Sequence, residues 1–306
     1  MANSGRILSG LNPRLLQYGL DKIIDHFSNL AETVTDRIFQ SEDADKGFYE
    51  IVTLAGMGPA GVRGESDSLT YDSINQESNP RFTIFTYEKS ARISMEAVED
   101  NVYKNMVKLI GQSFAKAHKD NEDYQGAGIF NSATNSGITW GDGVSLLNTA
   151  HPTQAGPTYS NRPSPDLDLS EDSVEQAVIL VYTFRNPDGL LADYKTQQLI
   201  VPVPLMYEAQ RIYGSKYRTS RADNDINAVM NRGDIVEEPI VWKRLTATTT
   251  WFLTTDAPNG LIMANRKGLT SKMADDIYTY DQIYTSHKRF RTLVGDSRCL
   301  VGSVGP

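Results

Sequence analysis

Two strand-like runs, at 48–55 and 81–94, are separated by a stretch, 56–80, that offers almost nothing to bury. It is rich in Gly, Ser, Asp and Asn and ends at Asn79-Pro80. Connections inside compact domains are commonly about 4–6 residues, so a polar connection of this length is either functional or unfolded. Strands on both sides make it a long hairpin arm projecting from a body, and any fold for this chain must accommodate it.

The arm begins with Gly56-Met-Gly58-Pro-Ala-Gly61, a G-x-G-x-x-G pattern after a strand. A dinucleotide-binding, NAD-dependent enzyme using Gly56, Gly58 and Gly61 would need a helix next, whose N-terminus holds the pyrophosphate. The residues that follow place apolar side chains at 62, 69, 71 and 74, outside helical spacing, among Gly64 and many Ser, Asp, Thr and Asn. Such residues favour turns and extended chain. Half of the motif's context is missing, and the preferred reading is a glycine-rich bend.

Other chemistry is equally sparse. The chain has 306 residues, enough for two compact units or one unit with elaborations. Its net charge is −8 and no basic stripe runs along it, which argues against gripping nucleic acid by phosphate neutralisation. No apolar run approaches the ~20 residues of a membrane span. The first residues lack the apolar core of a signal peptide. Cys299 is the single cysteine, which excludes an intrachain disulfide and fits a reducing cytoplasm. Of the four histidines, His26 and His118 sit in helical patterns beside polar neighbours and are expected at the surface. His287 lies in a basic strand-like run, and His151 precedes Pro152, which biases it to extended backbone. No two stand at metal-ligand spacing, and H-E-x-x-H, C-x-x-C and G-x-S-x-G are absent. The acidic stretch 166–172 lacks the glycine and distal Glu of a calcium loop; Ser170 reads as a helix cap with Glu171 and Asp172 on the positive end. No catalytic, cofactor or metal site is expected.

Along the chain, apolar spacing predicts a helix over 14–40, broken into two, and a second over 101–119. The second carries Val102, Met106, Leu109, Ile110, Phe114 and Ala117 as its buried stripe and Asp100 as its cap. Residues 136–153 read as a short strand, a Gly-Asp-Gly turn and a short apolar run, and 155–168 as a proline-bearing linker. A helix follows at 170–184, a turn at 186–189, a buried strand at 197–203 and a proline-started helix at 204–213. From 235 onward the pattern is strand-rich. The class is α+β with a long extended arm.

Two boxes then carry a resemblance. One is Asp142-Gly143-Val-Ser-Leu146-Leu-Asn148-Thr-Ala-His151-Pro152, of the form D-G-[VS]-x-L-x-[NS]-x-x-H-P. The other is the run 198–212 with Pro202, Pro204 and Ala209. With the order of elements and the closing run 293–303, the chain resembles HK97-like tailed-bacteriophage major capsid (major head) proteins, nearest the branch that includes Mu-like major head subunits. The resemblance implies an HK97-like capsid fold: an N-arm at 1–45, an E-loop at 46–93, a P-domain at 94–160 and 236–285 built on a long spine helix, and an A-domain at 161–235 and 286–306. It implies a structural, non-enzymatic protein that self-assembles, as hexamers and pentamers, into the icosahedral head shell of a virion. Such a shell is assembled in the host cytoplasm and encloses dsDNA without sequence-specific binding. The implied partners are copies of itself, a portal, and a separate scaffold or decoration protein, with no membrane and no cofactor. Contacts between neighbouring copies through the E-loop would fall on Arg63, Glu65, Asp67, Tyr71 and Arg81, and A-domain packing on Pro202, Pro204 and Ala209. In that family a loop lysine can join covalently to a neighbour's asparagine. Here no lysine lies between Lys46 and Lys89, and a guanidinium is a poor nucleophile, so no cross-link is expected. About 45 residues precede the loop, too few for a fused scaffold on top of the arm helix. An encapsulin-type nanocompartment shell, which resembles the same fold, is the alternative.

Overall fold

The computed structural model describes residues 20, 22–27, 32–54, 56, 60–65, 68, 71, 76–99, 103–153, 156–217 and 225–305. Contacts divide the chain into two compact units: 1–47, 83–125 and 263–291 in the first, and 48–82, 126–262 and 292–306 in the second.

The first unit is a sheet laid on one helix. The sheet runs in the order β1 (Gln40–Asp43), β10 (Leu261–Asp275), β11 (Gln282–Val294), β6 (Phe85–Ile93). β11 and β6 pair antiparallel from Gln282 opposite Ile93 to Phe290 opposite Phe85. The β10–β11 hairpin turns through 276–281, closed by Asp276 N–H donating to Asp281 O at 2.9 Å. The spine helix, Tyr103–Asn131, is 29 residues long. The sequence reading ended it at 119, because Asp120, Glu122 and Asp123 look like a solvated acidic patch. Its buried positions continue at helical spacing through His118 and Glu122 to Ala127 and Phe130. Polar identities hid that stripe: Glu122 is ion-paired to Lys119 and Lys288, and His118 Nε2 lies 3.0 Å from Ser286 Oγ. His118 is therefore buried rather than a surface residue. The stripe is also rotated from the expected one. Met106 and Leu109 face solvent, while Val107 and Phe114 pack with Leu20, Ile24, Ile93 and Tyr284. Asp100 and Val102 lie outside the described residues. Gly111 makes room for the N-terminal helical segment: a Cβ there would stand 2.8 Å from Ile23 Cγ2. The predicted break in the arm helix is present. Residues 22–27 are helical, and Val34–Ile38 starts afresh behind a Thr33 capping box.

The second unit holds a four-stranded sheet in the order β12 (Leu300–Ser303), β9 (Trp251–Thr255), β7 (Thr196–Val201), β8 (Glu237–Val241). β7 is parallel to β8 and antiparallel to β9. This pairing ties 237–255 to the strand at 196–201, whereas the sequence reading grouped 236–285 with the spine helix. Helix Glu171–Tyr182 begins at Ser170, whose side chain accepts from Ser173 N–H, with Glu171 and Asp172 in the first turn, as its sequence predicts. It buries Val174, Ala177, Val178 and Val181 against Leu199, Val201 and Trp251. Each buried Val or Leu side chain among them contributes about 1.5–3 kcal/mol of burial. Helices Met206–Gly214 and Ala228–Arg232 are joined by Asn227, whose amide donates to Ile212 O and Ser215 O and whose Oδ1 accepts from Met230 N–H.

The arm is a hairpin, as its flanks require. β2 (Phe48–Glu50) pairs with β5 (Arg81–Thr83), and β3 (Thr53–Leu54) with β4 (Gln76–Ser78). The run 136–153 forms no strand beyond a bridge between His151 and Tyr159, but its turn is real, with Gly143 at φ +82°.

Candidate functional site

The box at 142–152 folds into a closed polar network. Asp142 Oδ1 accepts from Val144 N–H at 3.2 Å, which shapes the turn after it. Asn148 does the same for Ala150 N–H at 3.0 Å, and the chain then delivers His151 to Tyr159, with which it exchanges both backbone hydrogen bonds. The two rings stack at 4.9 Å. His151 is fully buried. Its Nδ1 stands 2.5 Å from Asp142 Oδ2 and its Nε2 2.9 Å from Asn161 Oδ1.

The network fixes who donates. Asn161 Nδ2 donates to Leu146 O at 2.7 Å and Ser297 O at 3.1 Å, so its Oδ1 is the acceptor, taking Asn148 N–H at 2.9 Å as well. Both ring nitrogens of His151 therefore donate, one to Asn161 and one to the Asp142 carboxylate. Ser297 O–H donates to Asp142 Oδ2 at 3.2 Å, and Tyr159 O–H to Ser297 Oγ at 2.6 Å. Burial would raise the Asp142 carboxyl, but the bond to His151, its charge, Val144 N–H and Ser297 outweigh that and hold it below the usual carboxylate range. Arg298 lies 4.8 Å over the Tyr159 ring, bonded to both Asp296 oxygens and to Arg185 O.

Ser, His and Asp are thus together, yet not as a hydrolytic triad. A triad needs the serine on the ring nitrogen opposite the carboxylate. Here that nitrogen is taken by Asn161, Ser297 sits on the aspartate, and the ring is sealed from solvent. Burial, then Asp296, pushes the Cys299 thiol far up, which leaves it inert. Among the described residues no group of His, Cys, Asp and Glu is arranged to hold a metal ion. None of the described helices is long and apolar enough to cross a membrane. The G-x-G-x-x-G reading fails on its context. Gly58 lies outside the described residues, but 60–64 are non-helical, and the missing Cβ of Gly56 faces Asp188 Oδ2 at 2.7 Å, the wrong charge for a pyrophosphate.

The residues named for contacts fall into two groups. Arg63, Glu65 and Tyr71 are exposed on the arm, with Val62 beside them, and Asp67 lies outside the described residues. Arg81 sits at the arm's root, 3.6 Å from Glu50 and 3.4 Å over the Phe48 ring. Pro202 and Ala209 are buried, and Ala209 belongs to the core under helix Met206–Gly214, while Pro204 is exposed in the 3-10 turn Val203–Leu205. Sequence reasoning found Asp142 and His151 but missed Tyr159, Asn161, Ser297 and Arg298. Tyr159 and Asn161 lie in the stretch read as a linker just past His151, and no spacing signal links them to Ser297, more than a hundred positions on.

Residues 78–302 match a family model described as phage capsid protein. A comparison with curated protein sequences gives no match. Among solved structures, one from Mycobacterium phage Cain superposes with a TM-score of 0.56 at 12% identity, covering 90% of this chain and 92% of that one. The capsid of an empty GTA particle gives 0.54 at 14% identity, covering 89% and 90%. The holo-SrpI encapsulin complex from Synechococcus elongatus gives 0.50 at 10% identity, covering 88% and 86%. At these identities the likeness is one of fold.

Proposed function

The chain belongs to the phage capsid protein family and has the HK97-like capsid fold, and from that premise we propose that it is the major head protein of a tailed phage, assembling from many copies into the icosahedral shell that encloses a dsDNA genome. One observation carries the assembly reading. The arm extends 56–71 with Val62 and Tyr71 fully exposed, while the polar groups of the box are satisfied inside the chain. Apolar side chains held out on a thin hairpin find burial only on another molecule, and in a shell that molecule is a second copy.

The four-part division into N-arm, E-loop, P-domain and A-domain, and membership of the Mu-like branch, belong to the same proposal, supported by the box at 142–152 and the order of elements. So do a portal, a separate scaffold or decoration protein, assembly in the host cytoplasm, and the absence of a catalytic role. The encapsulin alternative shares the fold, but the sequence match is to phage capsid proteins. Negative-stain microscopy of the expressed full-length chain tests the proposal. Closed particles built from one repeated chain are expected, and a well-behaved monomer under every assembly condition would overturn it.

A further inference from the structure

The first unit carries cations that the chain itself leaves unbalanced. Some cations of the chain meet carboxylates: Arg92 with Asp276 and Asp281, Lys288 with Glu122, Arg162 with Asp166, Arg298 with Asp296. Among the described residues, Lys267, Lys272 and Arg289 make no such pair. They lie on the long β10–β11 hairpin.

Its register can be read from three cross-strand bonds. Asp276 N–H donates to Asp281 O, Thr285 Oγ1 to Lys272 O at 3.3 Å, and Thr270 Oγ1 to His287 O at 3.4 Å. Thr270 is thus beside His287. Gly295 N–H donates to Gly260 O at 2.9 Å, two residues out of this register, so the pairing shifts between 260 and 270, and Lys267 is placed beside His287 by its own 3.0 Å contact. On the far side of β11, His287 faces Glu88 and Arg289 faces Thr86. Tyr284, Leu269 and Met273 pack toward the spine helix, and Lys288 reaches Glu122 there. Alternation therefore puts His287 and Arg289 on the opposite, outward face.

That face is built as an anion cradle. A Cβ at Gly268 would meet nothing within 4 Å, so the space above it is open. Arg289 Nε is shielded from solvent and has no hydrogen-bond partner. Lys267 Nζ and Thr270 Oγ1 each lie 3.0 Å from His287 Nε2, which can only accept from an ammonium. Burial first, then the charges of Lys267 and Lys272, hold His287 below the usual histidine range, and Glu88 opposes them. At about 3.3 Å per residue, Arg289 and the Lys272 position beside Thr285 stand roughly 13 Å apart along the strands. One small anion cannot meet both, whereas a nucleic-acid backbone presents a charge every ~1.7 Å of its axis.

We propose that the outward face of the β10–β11 hairpin, centred on Gly268, Lys267, Lys272 and Arg289, is a phosphodiester-binding surface for the enclosed nucleic acid. The inference rests on the reading that the chain encloses duplex DNA. The grip is on backbone phosphates, through the planar fork of Arg289 and the point charges of the lysines, and is indifferent to base sequence.

The test is fluorescence anisotropy of a labelled short DNA duplex with the full-length chain. Three phosphate contacts give a log–log salt slope of about −2.7, so affinity should fall roughly 40-fold between about 50 and 200 mM salt. Lys272→Gln with Arg289→Gln should bring the slope to about −0.9 and nearly abolish binding. Gly268→Glu, which places a carboxylate among the cations, should do the same. Wild-type chain that does not bind at the lower salt, or variants that bind like wild type, would overturn the proposal. Saturable binding of inorganic phosphate without duplex binding would assign a free-phosphate site and overturn the nucleic-acid assignment, as would polyglutamate binding as tightly as the duplex. Microscopy of the same samples separates the two readings. Particles from both wild type and variants leave the shell intact whatever the duplex result, and an absence of particles from wild type counts against the shell alone.

Discussion

The box with the residues after it, 142–161, and the arm at 56–80 draw on the same residue types, glycine with Asp, Asn and Ser, and end in opposite conditions. In the box, two strand-free turns bring Asp142, His151 and Asn161 to one point, and Ser297 returns from the far end of the chain to complete it. Every donor of His151 and Asn161 has an acceptor inside the protein. In the arm, Val62 and Tyr71 stand in solvent. Composition does not distinguish these regions; the return of distant chain does. A polar segment that is met by its own chain becomes a rigid joint, and one that is not becomes a surface for another molecule.

That contrast makes the box the place where single substitutions cost most stability. His151→Ala removes one half of a buried charge pair and strands Asp142 and Asn161, so it should cost about 3–5 kcal/mol in urea unfolding of the unassembled chain. A loss under about 1 kcal/mol would mean that the network is ornamental. Gly302→Ala should follow at about 1–3 kcal/mol by overpacking, because its Cβ would stand 2.8 Å from both Phe252 Cδ1 and Trp251 O, with Leu147 of the box at 3.2 Å. An unchanged unfolding midpoint would contradict the close approach of β12.

Acid should act on the same joint. Asp142 has its folded pKa held down, as does Asp36, where burial opposes but Lys119 and Thr33 prevail. Each contributes stability that is complete above the unfolded aspartate value of about 3.9 and is lost as pH falls through the lower folded value. A thermal midpoint that begins to decline below about pH 6.5, where the unfolded chain protonates His118 and His287 before the folded one does, and falls further below about pH 4 is expected, with the fall below about pH 4 reduced in Asp142→Asn. The arm should respond least. Val62→Asp with Tyr71→Asp touches no core and should shift stability of the unassembled chain by no more than about 0.5 kcal/mol.

The sequence was most legible where local rules decide. Ser170 with its acidic first turn, the Thr33 restart of the N-terminal helix and the strands flanking the arm are all readable from neighbours within a few positions. The spine helix was legible only to its middle, since His118 and Glu122 occupy buried positions that apolar spacing would not assign to them. The box was half legible: Asp142 and His151 stand in one motif, but Tyr159 and Ser297 meet across 138 residues and carry no spacing signal. The cation set on β10–β11 escaped for a related reason. The basic run at 287–291 shows only Arg289; strand pairing brings Lys267 and Lys272 to it, against an overall charge of −8.

The comparison between box and arm is tested most directly by sedimentation of the assembled protein beside its arm variant. Wild-type chain should sediment as closed particles, and the Val62→Asp, Tyr71→Asp chain as a folded, unassembled species of the same thermal midpoint. Particles of equal yield and size from both chains would contradict the account, because the exposed arm would then not be the surface through which copies meet.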